Sequence, residues 1–324
     1  MADKGGKHKI INRNQIYNIL IVVSFLLVWE FLLSNPDNVS RLNEFIHNLI
    51  GWNPHFRAFS LMAWPKPSSI AKAFFVTPAR RHGGPLYFWD QTQTTLSAVL
   101  LGFLVGNLFA MLMAVVFVYV HPVERAVMPL NLALRSIPLV AIIPLLLRIR
   151  YSIADLPAVQ NSPILQPIFG TEQAMKMLIV VIIVFFPTLV NVYEGLRTIE
   201  PAALELMHTL SASEWYIFWN LRVPSALPLT FSALKISASA SVGGVIAAEW
   251  LCSNKGLGFI MAMGSSSASL TTSDLWVAII ITTLLSFAMF WLVSGFEKVL
   301  IPWHESVIAL QEAMKDHEQG EQFV

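Results

Sequence analysis

The stretch RTIEPAALELMHTLSASEWYIFWNLRVPSALP, residues 197–228, decides how this chain is organised. It contains prolines and charged side chains, yet strongly apolar runs flank it on both sides. An ordinary loop between membrane helices does not need apolar residues at helical spacing, and this stretch has them. We therefore interpret it as two short helices joined by an ordered corner and presented on one side of a membrane.

Helix signals define the first part of this stretch. Thr198 precedes Pro201, and a helix tolerates proline at its first position because the missing N–H is not needed there. We predict that Thr198 caps this helix and that the helix stops near Leu210–Ala212. The apolar positions at helical spacing are Leu204, Met207 and Leu210.

A second helix is predicted to follow. Ser211 and Glu214 have the S-x-x-E spacing of a capping box, and Pro224 and Pro228 are predicted to end the segment before the next apolar run. The apolar stripe consists of Trp215, Phe218 and Trp219. Exposed aromatic side chains of this kind insert into a groove of a partner protein or lie among lipid headgroups. The residue pattern alone leaves both interpretations open.

The composition places the chain in a membrane and excludes several classes of function. Hydrophobic residues make up 55% and charged residues 13% of the chain, whereas soluble domains carry about 25% charged residues. The net charge of +1 gives no electrostatic case for a nucleic-acid partner. The single cysteine, Cys252, rules out an intrachain disulfide framework, and the scattered histidines have no metal-ligand spacing. We predict no metal site and no catalytic residue.

Six apolar runs have about the 20 residues that a helix needs to cross the hydrocarbon core. The third run contains several prolines, so we expect that helix to kink or break. The sequence therefore predicts an all-α polytopic membrane protein. The six runs are Ile16–Leu33, Thr94–Val120, Ala126–Leu147, Ala174–Tyr193, Leu229–Trp250 and Leu275–Ile301.

Basic residues ahead of the first run are expected to hold the N-terminus in the cytoplasm. Six spans then place both termini in the cytoplasm, residues 34–92, 148–173 and 251–274 outside, and residues 194–228 inside. We divide the chain into an N-terminal tail, first helix and external elaboration (1–92), a membrane core that includes the two short helices of residues 197–228 (93–301) and a cytoplasmic tail (302–324).

The 197–228 stretch resembles the EAA loop of the inner-membrane permeases of bacterial ABC importers. That pattern reads E-A-A, three residues, G, nine residues and I-x-L-P, and its spacing is intact here. Glu205 matches the acid, and Leu206 and Met207 replace the two alanines. The corner glycine is replaced by Ser211, while Leu221 and Pro224 match the end of the pattern.

Other segments, in the same order and spacing, resemble the branch that imports nitrate, sulfonates, taurine, bicarbonate and thiamine precursors. Residues 148–170 and part of 35–60 look like insertions relative to that branch. The matching segments are WPKPSSIAKAF (64–74), TTLSAVLLGFLVG (94–106), LRSIPLVAIIPLLL (134–147), FFPTLVNVYEGLRTIEP (185–201) and AAEWLCSNKGLGFIMA (247–262).

The resemblance implies a type I importer permease in the bacterial inner membrane that transports a small anionic or polar solute. A dimer of permease chains, expected to be a homodimer, would form the pathway by alternating access. An external binding protein would deliver the solute, and a dimer of cytoplasmic ATPases would grip the EAA helices. Because this chain has no G-x-x-x-x-G-K-[ST] phosphate loop, ATP and Mg²⁺ would bind to the ATPase, with no cofactor on this chain.

Replacing the corner glycine by Ser211 calls the corner's tightness into question, because serine tolerates positive φ poorly.

Charged residues within spans are the first candidates for the pathway. Arg135, Lys235 and Glu249 match charged positions of the family pattern, and two inward-facing cations would suit an anionic solute. The alternative for Arg135 and Lys235 is an ion pair or contact with headgroups, and for Glu249 a structural pair. Residues 256–258, GLG, are predicted to form a tight turn after Glu249.

Small polar residues in the fifth span are the second group of candidates. Ser237, Ser239 and Ser241 would hydrogen-bond a passing solute, or the small residues would serve close helix packing. Two other classes of function are the alternatives. An integral-membrane enzyme would need a cluster of acids, histidines or serines at one depth, which the sequence does not present. A stand-alone channel or secondary carrier would leave residues 197–228 without a purpose.

Overall fold

The computed structural model describes residues 13–50, 65–81, 87–120, 122–127, 129, 139–163, 166, 171–266 and 271–302. All regular secondary structure in these ranges is helical, so the predicted all-α class is confirmed. Residues 122–127 form a short helical segment. The labelled helices are α1 (Arg13–Ser34), α2 (Pro36–Ile50), α3 (Pro67–Arg81), α4 (Tyr87–Tyr119), α5 (Leu139–Ala154), α6 (Pro157–Gln160), α7 (Glu172–Arg197), α8 (Pro201–Thr209), α9 (Glu214–Ile217), α10 (Val223–Cys252), α11 (Leu257–Ser266) and α12 (Thr272–Leu300).

Within the described ranges, four helices are long and apolar enough to cross a membrane: α4, α7, the continuous helix Glu214–Cys252 and α12. A fifth span results if the bent pair Leu20–Ser34 and Asp37–Phe45, which meet at 103°, is counted as one. These helices cover all or most of five of the six predicted apolar runs. The remaining run, Ala126–Leu147, lies partly outside the described residues.

The helix α5 differs from the prediction at its C-terminal end. Residues 148–154 were expected in an external loop, but α5 continues to Ala154 and includes Pro144 in its interior. The reason is visible in the sequence, because Leu146, Ile149 and Ile153 continue the helical spacing of apolar residues past Leu147. The segment that looks like an insertion therefore lengthens a helix.

One compact unit comprises the described residues of 1–87 and 263–277. In it, Glu30 of α1 accepts hydrogen bonds from the backbone N–H (3.1 Å) and the hydroxyl (2.8 Å) of Ser68. This carboxylate therefore satisfies orphan donors at the start of α3, where negative charge is favourable. Trp29 and Trp276 pack edge to face, with ring centroids 5.6 Å apart.

The second unit comprises the described residues of 88–262 and 278–324. Its core is built on α7 and α10, with α4 approaching α7 closely at two glycines. A Cβ added at Gly102 would lie 2.6 Å from Val180 Cβ, and one added at Gly106 would lie 2.9 Å from Val181 Cα. Without a large driving force between helices in lipid, such close approach supplies the packing energy.

Candidate functional site

Helix α8 has no buried side chain; Ala203, Leu204 and Met207 are partly buried and its other residues are exposed. Pro201 stands in its first turn as predicted, but the predicted cap is wrong. The N-cap is Glu200, which makes no side-chain cap bond. Thr198 instead ends α7, where its backbone N–H donates to Glu194 O. Because α7 extends to Arg197, Thr198 is the C-cap of α7 and cannot also be the N-cap of α8.

The corner after α8 is a Schellman motif with Ser211 at its centre. The N–H of Ser211 donates to His208 O (2.9 Å) and that of Ala212 donates to Met207 O (3.0 Å), which is the paired pattern of this motif. Ser211 has a φ of 55°, in the left-handed region that glycine favours. The serine therefore adopts a backbone conformation that glycine favours, and the tight corner is kept at a cost in strain.

The second cap is one serine further along than predicted. Ser213, with extended backbone, is the N-cap of α9, and its hydroxyl accepts the N–H of Tyr216. The predicted capping box from Ser211 to Glu214 is therefore wrong, because Ser211 lies in the left-handed conformation that closes α8.

The two predicted prolines do not end the second helix. A π-helical turn, Phe218–Arg222, joins α9 to α10, and Pro224 stands in the first turn of α10. Pro228 lies inside α10. The π-helical turn lies directly ahead of the proline that interrupts the backbone hydrogen-bond pattern, and the helix continues through it. α9 and α10 are thus parts of one continuous helix of 39 residues, Glu214–Cys252, which is long and apolar enough to cross a membrane.

The predicted aromatic stripe divides into a buried and an exposed part. Phe218 is 8% exposed and packs in a core cluster with Tyr193 and Leu196. Trp215 and Trp219 remain 70% and 52% exposed. The exposed part of this segment consists of α8 with the two tryptophans. We call this set, Pro201–Thr209 with Trp215 and Trp219, the coupling surface, after the role that the resemblance implies for it.

Both ends of the coupling surface are anchored to the core. At the end of α7, Arg197 Nη1 donates to Tyr193 Oη (3.0 Å), which donates to Glu124 Oε1 (2.5 Å). Arg222 Nη1, beyond the tryptophans, donates to Leu196 O (3.2 Å). An exposed helix with both ends fixed can transmit a push as a rigid body.

The predicted cations are not both available to a solute. Arg135 lies outside the described residues. Lys235 Nζ lies 3.0 and 2.9 Å from the two carboxylate oxygens of Glu297, so its charge is neutralised within the protein. This is the ion pair that the sequence left open for Lys235.

The serines of α10 point in different directions. Ser237 is buried and donates to Asn107 Oδ1 (3.1 Å), which also accepts from Thr188 Oγ1 (2.6 Å). Ser241 is buried and donates to Ala238 O (2.7 Å). Of the three predicted serines, only the intervening Ser239 is exposed, because a helix turns about 100° per residue.

Ser239 lines a groove of about 410 Å³ between α10 and α12. The rest of its lining consists of Thr282, Thr283, Ser286, Phe287 and Phe290. The side-chain hydroxyl of Thr282 is buried without a hydrogen-bond partner. Hydroxyls on both helices thus face one groove, which makes this groove the best candidate for a stretch of the pathway.

Glu249 is fully buried and is held by several partners. Its carboxylate accepts from Thr95 Oγ1 (2.9 and 3.1 Å), from the N–H of Gly258 (3.0 Å) and from Lys176 Nζ (3.3 Å). Lys176 is itself buried and lies 3.3 Å from Glu172. This arrangement is a structural ion pair, the alternative stated above for Glu249.

The GLG turn closes over this ion pair. Gly256 has a φ of +110°, and its N–H donates to Gln91 Oε1 (2.5 Å). Leu257 N–H donates to Thr95 Oγ1 (3.0 Å). The sequence indicated the turn but not Lys176, Thr95 or Gln91. The available signal was a lone lysine within the apolar run of α7, one turn after Glu172.

Comparison with known proteins agrees with this geometry. Residues 106–301, more than half of the chain, match the family described as the binding-protein-dependent transport system inner membrane component. A probable ABC transporter permease protein of Haemophilus influenzae is 28% identical over 86% of this chain and 95% of its own length. The formylaminopyrimidine transport permease protein ThiX of Halalkalibacterium halodurans is 29% identical over 67% of this chain and 79% of its own.

Among solved structures, the methionine ABC transporter MetNI in an inward-facing conformation is similar, with a TM-score of 0.48 and 18% identity over 66% of this chain and 94% of that chain. The predicted recognition as an ABC importer permease is confirmed by the family match and the named relatives. The chain belongs to the family of inner-membrane components of binding-protein-dependent transport systems.

Proposed function

We propose that this chain forms one half of the solute pathway of an ATP-driven importer and works as a homodimer by alternating access. Two cytoplasmic ATPase subunits bind ATP and Mg²⁺ and drive it, and an external binding protein supplies the solute. Both termini lie in the cytoplasm of a bacterial cell, on the same side as the coupling surface. The core at 93–301 carries the transport machinery, and this chain holds no cofactor.

One observation carries the proposal: α8 has no buried side chain although it lies between two long apolar helices. Leu206 and Leu210 are 58% and 69% exposed, and an apolar helix face of this kind fits into the groove of a partner. The residues assigned to coupling are Glu205, Leu206, Met207, Ser211, Trp215, Leu221 and Pro224. The matching spacing of the EAA loop supports an ATPase as that partner.

Close packing behind the coupling surface supports transmission into the membrane. At Gly195 an added Cβ would lie 3.0 Å from Ala226 Cα, so α7 and α10 are in direct backbone contact beside the anchored ends. A displacement of α8 and α9 is therefore passed to both helices rather than absorbed by soft side chains.

The proposed solute is small and is either polar or anionic, of the nitrate, sulfonate, taurine, bicarbonate or thiamine-precursor type. The relative named as a formylaminopyrimidine permease favours a polar heterocycle within this range. The hydroxyl-lined groove and the neutralised Lys235 favour the same choice. Arg135 is retained as the cation that would serve an anion, and Ser237, Ser241 and Glu249 support the pathway through the contacts described above.

The test is to reconstitute the chain with its ATPase in nanodiscs and compare Glu205→Arg with Glu194→Arg. Both glutamates are exposed, but only Glu205 lies on the coupling surface. We expect Glu205→Arg to abolish ATPase association and solute uptake while membrane insertion and yield stay unchanged, and Glu194→Arg to behave like the wild type. Retained association and uptake in Glu205→Arg would refute the coupling role.

The two rival functions give different results in the same experiment. A stand-alone channel or secondary carrier would move solute without ATP and would not change with Glu205→Arg. A membrane enzyme would convert the solute, which chromatography of the transported material would detect. ATP-dependent uptake of unchanged solute therefore separates the importer from both.

A further inference from the structure

The hydroxyl groups on the α12 side of the groove between α10 and α12 act mainly as hydrogen-bond acceptors. Thr283 Oγ1 donates its hydrogen to Ile279 O (2.9 Å), and Ser286 Oγ donates to Thr282 O (3.1 Å). Because a hydroxyl has one hydrogen and two lone pairs, each of these two oxygens is left to accept. The hydroxyl of Thr282 is buried without a partner among the described residues. The groove therefore offers more acceptors than donors to a solute that enters it.

The groove has no charge with which to hold an anion. No described residue that lines it is ionisable. Lys235 stands one turn before Ser239 on α10, and its ammonium lies 2.9 and 3.0 Å from the carboxylate oxygens of Glu297. An anion in the groove would lose its water without gaining a cation, and it would meet the lone pairs of the hydroxyl oxygens. The groove thus disfavours a small oxyanion and favours a solute with N–H donors.

Two phenylalanines give the groove an aromatic wall. Phe287 and Phe290 are 59% and 40% exposed, and they stand three residues apart on the face of α12 that lines the groove. Aromatic rings stack on one another in an offset arrangement. A volume of about 410 Å³ lies within the range of small-molecule sites, where an apolar wall holds the ligand and a few polar groups orient it. The wall therefore suits a flat ring.

We propose that this groove binds a flat, uncharged ring with N–H donors, such as an amine-substituted heterocycle, on its way across the membrane. The N–H groups of the solute donate to the oxygens of Thr283 and Ser286, and its ring stacks on Phe287 or Phe290. The inference rests on the proposed transport function and narrows its solute from polar or anionic to one class. Specificity then comes from the direction in which the hydroxyls of α12 point their hydrogens.

The experiment measures binding to the purified full chain in nanodiscs, without ATPase, ATP or binding protein, by titration in saturation-transfer difference NMR. The three probes are 4-aminopyrimidine, 4-methylpyrimidine and methanesulfonate, with empty nanodiscs as the blank. The two pyrimidines have nearly the same shape, but only the amino group donates hydrogen bonds. Methanesulfonate represents the oxyanions.

Two variants of the groove are compared with matched controls outside its lining. Thr283→Val combined with Ser286→Ala removes the two accepting oxygens. Its control is Thr230→Val, which removes a hydroxyl of α10 that also donates to its own helix, at Ala226 O (2.9 Å). Phe287→Leu removes one aromatic face, and Phe296→Leu is its control on the same helix, at 58% exposed.

We expect the wild type to bind 4-aminopyrimidine at least about tenfold more tightly than 4-methylpyrimidine or methanesulfonate. The double hydroxyl variant should lose this preference but still bind 4-methylpyrimidine as the wild type does, which a misfolded chain would not. Phe287→Leu should weaken both pyrimidines alike, by about two- to tenfold. Both controls should match the wild type.

Equal binding of the two pyrimidines by the wild type would overturn the proposal, and so would tighter binding of methanesulfonate or no binding of any probe. A preference that survives the double hydroxyl variant, or that Thr230→Val also abolishes, would overturn it as well. The proposed importer function is judged separately, by ATP-dependent uptake and its loss in Glu205→Arg. If that loss occurs and no probe binds, only the groove inference fails; if probes bind as expected but uptake needs no ATP, only the importer function fails.

Discussion

Gly256 lies directly against the buried carboxylate of Glu249, so that a Cβ added to the glycine would fall 2.0 Å from Oε1. The turn that contains Gly256 and the ion pair of Glu249 with Lys176 are therefore one structure. The carboxylate fills the space that a side chain at 256 would need, and Gly258 supplies one of its hydrogen bonds.

Gly256→Ala is expected to destabilise the protein by about 2–4 kcal/mol, because it combines a strained backbone with a clash against a buried charge. The φ of +110° at this position is one that alanine rarely adopts. The measurement is the thermal midpoint of the purified protein in detergent.

Gly243→Ala is the matched control for that experiment. It lies within α10, and an added Cβ there meets no atom within 4 Å. Alanine is favoured over glycine inside a helix by about 0.5–1 kcal/mol, so the midpoint should stay the same or rise slightly. An equal fall of the thermal midpoint in both variants would show that the contact with Glu249 does not add to the cost of replacing Gly256.

Lys176→Met should cost about 3–5 kcal/mol, because it leaves the carboxylate of Glu249 buried without its cation. Adding Glu249→Gln to that variant should recover part of the loss, since the amide oxygen can still accept from Thr95 and Gly258 without a buried charge. Thermal midpoints of the two single variants and the double variant form a double-mutant cycle that measures this coupling.

The pair of Lys235 with Glu297 provides the comparison for that cycle. Its side chains are 26% and 11% exposed, against 4% and 0% for Lys176 and Glu249. Lys235→Met should therefore cost less than Lys176→Met. If the order is reversed, burial is not what determines the strength of these two pairs.

The long helices were predictable because an apolar run of about 20 residues has the length and composition of a membrane-spanning helix. The two helices and the corner within residues 197–228 were predictable because the motif is defined by spacing, and spacing survives the loss of the alanines and glycine. The helix caps were not predictable to the residue. Ser211 and Ser213 are both good N-caps by type, and only the left-handed backbone at Ser211 decides between them.

The roles of the buried polar residues also depended on geometry. Ser237 and Ser239 look equivalent in the sequence, but the helical turn between them buries one and exposes the other. Lys176 comes 73 residues before its partner Glu249, and no local pattern connects them. Long-range pairs of this kind appear only when the packing of α7 against α10 is known.

Ser211→Gly is expected to stabilise the corner after α8 by about 0.5–1 kcal/mol, because glycine adopts a φ of 55° without the strain that serine carries. The thermal midpoint should rise, and hydrogen exchange of the Ala212 amide should slow. Binding of the proposed ATPase should be retained, since the backbone at 211 already has a conformation that glycine favours.

Ser213→Ala tests the same corner in the opposite direction. It removes the hydroxyl that accepts the N–H of Tyr216 and should cost about 1 kcal/mol. If Ser211→Gly is the destabilising change and Ser213→Ala is neutral, then the cap belongs to Ser211, as the sequence alone had indicated.

The last prediction concerns two glycines at helix contacts that look alike in the sequence. At Gly102 an added Cβ would lie 2.6 Å from Val180 Cβ and 2.9 Å from the backbone oxygen of Met177. At Gly244 it would lie 2.1 Å from Ile183 Cδ1, but the next atom is 3.5 Å away.

A terminal methyl can rotate aside, whereas a backbone oxygen moves only with its helix. Gly102→Ala should therefore force α4 away from α7 and lower the thermal midpoint strongly, by about 2–3 kcal/mol of stability. Gly244→Ala should change stability by less than about 1 kcal/mol. Similar losses in the two variants would mean that Ile183 is as immobile as the backbone of α7.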